Sequence, residues 1–114
     1  MTRKPTLFLI AALPLIVSAC APRPDSIAPV SMGNAYAEAN CNQSRNDLVA
    51  ERQNLETLSA AQRNAATGDA IGVFLIGVPT SSLTGGNKAG DIATSKGKIL
   101  ALESRVMACQ QQGR

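Results

Sequence analysis

The chain has 114 residues, with eleven Lys and Arg against eight Asp and Glu, no histidine, no tryptophan, one tyrosine and two phenylalanines. This length supports one domain at most, and so few aromatic side chains make a thick globular core hard to build. Without histidine, Ser-His-Asp and Cys-His catalysis and histidine metal sites are excluded, and no two of the three cysteines have the CxxC spacing of a redox or zinc motif.

The chain opens Met1-Thr2-Arg3-Lys4, two cations and no acid, and continues in an apolar run from Leu7 to Val17 broken only by Pro14. This is the charged and apolar pattern of a secretory signal over residues 1–19. The run is too short to span a bilayer, which takes roughly twenty residues. It ends in Val17-Ser18-Ala19-Cys20, which resembles the lipobox of bacterial lipoproteins: an aliphatic residue, two small residues, then Cys. The resemblance implies cleavage between Ala19 and Cys20, a diacylglycerol on the Cys20 sulfur and an acyl chain on the new amine. Several acyl chains anchor a protein firmly, at about 0.8 kcal/mol per buried CH2. The membrane is then the first expected partner. Ala21, where an Asp would favour inner-membrane retention, points to the outer membrane and its periplasmic face. Removing the signal leaves nine cations against eight acids, so no nucleic-acid partner is expected.

Residues 20–33, with prolines at 22, 24 and 29, read as the lipidated cysteine and an extended tether, because proline lacks an amide donor and disfavours helix before it. Thirteen such residues would reach up to about 40 Å from the membrane. A first helix is expected over about 34–67, with Asn34 or Ser31 as N-cap and Gly68 as the left-handed residue beyond its end. The composition of 35–66 favours helix, and Cys41, Leu48 and Leu55, seven apart, share one face. A second helix is expected over about 88–111, with Asn87 as N-cap. Here Ile92, Ile99 and Val106 alternate with Ser95, Leu102 and Cys109 as the core positions of three heptads. The predicted fold is all-α, an antiparallel two-helix hairpin forming one domain over 34–114.

Cys41 and Cys109 remain once Cys20 is assigned to lipid, and cysteines in an oxidising compartment usually pair. Setting 41 opposite 109 makes facing positions sum to 150, which puts Leu48 against Leu102, Leu55 near Ser95 and Ile99, and Leu58 against Ile92. An intramolecular bridge would close a loop of about 68 residues and contribute about 4 kcal/mol. An intermolecular bridge and free thiols remain open. So does a second register, in which the first helix runs unbroken to Val78, position 109 faces about 56 and Cys41 is stranded.

Residues 68–86 form the tip of this hairpin, and 70–78 is the most apolar run after the signal. Asp69 would cap a short helix there and Pro79 would end it. The segment folds back over the apolar stripe, or exposes Phe74, Leu75 and Ile76 as a docking patch for a protein or a second copy, or dips into a membrane. Thr84-Gly85-Gly86-Asn87-Lys88 lacks the phosphate-loop pattern and reads as a turn before a helix. Asp47, Glu51 and Asp69 read as solvated helix residues rather than acid–base or metal groups. No cofactor is expected. The reading is a small non-enzymatic lipoprotein, a structural or interaction module of the cell envelope, with an accessory subunit of a secretion, transport or conjugation apparatus as the alternative. The chain ends Gln-Gln-Gly-Arg, without the terminal Lys that coiled-coil lipoproteins use for wall attachment, so covalent wall linkage is not expected.

Overall fold

A computed structural model describes residues 20–77, 81 and 85–113. The expected signal, including Ala19, lies outside the described residues, as do Val78 and Pro79. Two helices, α1 (Cys41–Ile76) and α2 (Ala89–Gln112), pack against each other as a hairpin. Among the described residues there is no strand.

The core at the closed end follows the heptads. Leu48, Ile99 and Leu102 form a buried cluster, with Tyr36, Leu55 and Val106 packed on it. Cys41 and Cys109 are joined, S–S 2.02 Å and Cα–Cα 5.9 Å. The same register holds along the hairpin. Glu51 pairs with Lys98 at 3.7 Å, and the Lys88 amide donates to Gln62 Oε1. Burial opposes ionisation of Glu51. Hydrogen bonds from Ser95 and Asn54 and the Lys98 ammonium outweigh that and hold its carboxyl below the usual value.

Helix α1 starts later and ends later than its pattern suggests. It begins at Cys41, where Asn40 Oδ1 accepts from the amides of Asn42 and Gln43. Neither Asn34 nor Ser31 caps it. Residues 34–39 form successive tight turns after Gly33, which has φ +50°, and the Arg105 side chain donates to the Ala39 carbonyl. These turns seat Tyr36 on the core. In a continued helix Tyr36 would lie about 120° off the Leu48 stripe.

At its other end α1 passes through Gly68 and Asp69 and stops at Ile76, where Gly77 (φ +73°) donates to Val73 O. The left-handed terminating glycine expected at 68 is therefore Gly77, and Asp69 heads no separate short helix. The longer helix does not strand Cys41. In that register the start of α2 at Ala89 faces about position 61, so α1 overhangs α2 by about 22 Å, and Ser81, Asn87 and Lys88 lie along the overhang. Asp69 meets Ser81 and Gln62 meets Asn87, in the register set by the disulfide. Helix α2 matches its expected span within a residue. The Asn87 side chain accepts from the Ala89 amide, although Lys88 occupies the N-cap position.

The largest departure concerns residues 21–33, which do not form a free tether. They run back along the hairpin as a strap, through a 3-10 turn at Pro24–Ser26, with Ala21, Pro24 and Ile27 buried. Proline lacks an amide donor but keeps its carbonyl, and these carbonyls find donors. Pro22 O accepts from Gln62 Nε2. Pro24 O and Ile27 O both accept from Lys96 Nζ, at 2.7 and 2.6 Å. The Val30 amide donates to Ala93 O.

Candidate functional site at the open end of the hairpin

The heptad stripe of α1 continues past its apolar part. After Cys41, Leu48 and Leu55 come Gln62, Asp69 and Ile76, each seven residues on. Gln62 and Asp69 are fully buried. They face the strap, at Ala21 and Pro22, and the stretch that leads into α2, at Ser81, Asn87 and Lys88, whose amides and carbonyls need partners.

Gln62 supplies three contacts. Its amide nitrogen donates to Pro22 O at 2.8 Å and to Asn87 Oδ1 at 3.1 Å, and its oxygen accepts from the Lys88 amide. Asp69 serves the next turn. Oδ2 accepts from the Ala21 amide at 2.7 Å and from Ser81 Oγ, and Oδ1 accepts from the Ser81 amide. Asp69 is therefore a buried clasp between three parts of the chain, not a solvated helix residue. Asp47 accepts from Gln43 Nε2 on an exposed turn, and Glu51 is tied to Lys98 and Asn54. Neither Asp47 nor Glu51 shares a site with Asp69.

The Asp69–Ala21 bond fixes where Cys20 lies. Going forward, the strap passes Asp69 at Ala21 and Gln62 at Pro22, then reaches Lys96 at Pro24. Cys20, the residue before Ala21, therefore lies near the level of Asp69. Cys20 is half-buried and takes no part in the disulfide.

Beyond Asp69, the last two turns of α1 carry the apolar side chains singled out from the sequence. Phe74 is 88% exposed, Leu75 70%, Ile76 66% and their neighbour Ile71 55%. Residues 70–76 thus neither fold back over the hairpin stripe nor form a separate element. Gly72, between them, is buried on the Asp69 side. The structure brings Cys20 and this patch to one end and holds Cys41 and Cys109 at the other. Continuing the seven-residue spacing beyond Leu55 would have singled out Gln62 and Asp69. Their polarity, next to Gly68, resembles the end of a helix instead.

No helix among the described residues is long and apolar enough to cross a membrane. No protein-family model, curated protein or solved structure matches this chain.

Proposed function

We propose that this chain is a lipid-anchored protein of the bacterial cell envelope, held on the periplasmic face of the outer membrane and acting as a non-enzymatic structural or interaction module. The observation that carries this reading is Val17-Ser18-Ala19-Cys20 at the end of a cationic and then apolar N-terminal run. Two further features support it. Cys20 takes no part in the disulfide, which leaves its sulfur for acylation. Ala21, directly after the residue that would become the N-terminus, is also buried against the hairpin. A thin hairpin closed by a disulfide suits an oxidising compartment.

Mass spectrometry of the protein purified from bacterial membranes tests this. The expected mature chain starts at Cys20 and carries the added mass of a diacylglycerol and an acyl chain, and Cys20→Ser abolishes that mass. A mature chain that starts at Cys20 or later without lipid would overturn the assignment.

A further inference from the structure

The free end of α1 has a composition that a water-facing helix end rarely has. From Asn64 to Asn87 the sole ionisable side chain is Asp69, and Asp69 is buried and hydrogen-bonded inside the clasp. No charge is displayed over this stretch, while Ile71, Phe74, Leu75 and Ile76 are displayed together. Such a patch on a small protein marks a place that something else covers. The first charges reached away from the tip are Arg63 and Lys88, both cations, which suits the anionic layer of a phospholipid surface.

The position of Cys20 identifies what covers the patch. A free tether would leave the tip anywhere within tens of ångströms of the membrane. The strap removes that freedom, because the Ala21 amide is held on Asp69. Phe74 and Ile76 lie five and seven residues further along α1, about 7.5 and 10.5 Å by helical rise. Acyl chains on the Cys20 sulfur would enter the bilayer beside the tip. The tip would then reach the depth of about 5–10 Å at which interfacial apolar side chains settle.

We infer that residues 71–76 are a membrane-seated foot. They sink into the lipid surface next to the acyl chains of Cys20, so the hairpin stands on the membrane at two adjacent points with its disulfide end directed away. The inference rests on the lipid-anchor reading and adds an orientation to it. Burying three or four large apolar side chains in lipid removes their surface from water, which holds that orientation once acylation has removed the cost of bringing the protein to the surface.

The chain has no tryptophan, so single substitutions provide clean fluorescent probes. Purified lipidated Phe74→Trp and, as the far-end control, Met107→Trp are reconstituted into vesicles of phosphatidylethanolamine and phosphatidylglycerol. Both positions are exposed, so neither substitution disturbs the core. The expected result is a blue-shifted emission that lipids brominated near the headgroup quench for Phe74→Trp, with neither effect for Met107→Trp. Unquenched, water-like emission from both variants on vesicles that have bound the protein would overturn the foot while leaving the lipid anchor standing. A mature chain without lipid would instead remove the anchor reading, and the same quenching measurement would then decide the foot by itself. A photocrosslinker at position 74 that joins a protein rather than lipid in native membranes would reassign the patch to a partner and overturn the inference.

Discussion

The two ends of the hairpin are held by opposite chemistry. At the disulfide end two helices meet, and each has already satisfied its own backbone, so apolar side chains suffice: Leu48, Ile99 and Leu102 with Tyr36, Leu55 and Val106 around them. At the open end α1 meets the strap and the stretch that leads into α2, and the same face of α1 turns polar at Gln62 and Asp69. The change occurs where α2 stops covering α1. A helix packed on a helix needs little more than shape and hydrophobicity. A helix packed on irregular backbone must also supply acceptors and donors, because a buried amide left unmet costs about 1–3 kcal/mol. The difference also divides the labour between the ends. The apolar end stabilises the fold, and the polar end positions Cys20 and leaves its own apolar side chains free to face outward.

The sharpest way to break this comparison is to open the apolar end. Replacing Cys41 and Cys109 together with Ala should remove about 4 kcal/mol by releasing a loop of 68 residues. That is a large share of a total stability of about 5–15 kcal/mol. Thermal unfolding should shift down by on the order of 20 °C in one cooperative transition. A fall of only a few degrees would mean that the thin core holds the helices without the bond and that the two ends differ less than their chemistry implies.

The polar end is tested at Asp69. Asp69→Ala leaves the buried amides of Ala21 and Ser81 without their acceptor and should cost about 3 kcal/mol. Asp69→Asn should cost nearly as much. Both carboxylate oxygens accept from backbone amides, so an amide group must turn its NH2 towards one of them. Hydrogen exchange should show the loss confined to the strap and the stretch that leads into α2, with the amides around Leu48 and Leu102 still protected. Equal loss of protection along both helices would show that the clasp is part of one cooperative core.

These contrasts explain what could be read in advance. The apolar end was legible because heptads and the cysteine pair are local patterns that agree on one register. That register, facing positions near a sum of 150, extends correctly to Gln62 with Lys88 and to Asp69 with Ser81. The end of α1 was misread because Gly68-Asp69 carries a stop signal. A helix interior bears Gly at about 1 kcal/mol relative to Ala, and the adjacent Asp69 clasp holds the helix through that point. The strap was misread because proline-rich sequence without amide donors resembles a linker. What anchors it is a set of carbonyls, which every residue has, meeting Lys96 and Gln62 from distant parts of the chain. No local pattern carries that information.

The strap's middle offers the finest test, at Gly97. This residue is buried on α2. A Cβ built there would lie 2.2 Å from the Val30 carbonyl oxygen and 3.1 Å from its Cγ2. Gly97→Ala should gain about 0.5–1 kcal/mol of helix preference and lose about 1–3 kcal/mol to the clash, a net destabilisation of about 1 kcal/mol by urea unfolding. The Val30 amide, bonded to Ala93 O, should lose its exchange protection while the disulfide end keeps its own. The amide of Ala21 reports on how the strap is built. If it stays protected, the strap is a series of independent clasps, and Cys20 remains fixed at the tip even when the middle lifts. If it is released with Val30, the strap moves as one piece, and Gly97 helps hold Cys20 in place from ten residues along the strap. Unchanged stability with Val30 still protected would mean that the strap does not lie against Gly97, and the contrast between a packed apolar end and a strapped polar end would lose its middle.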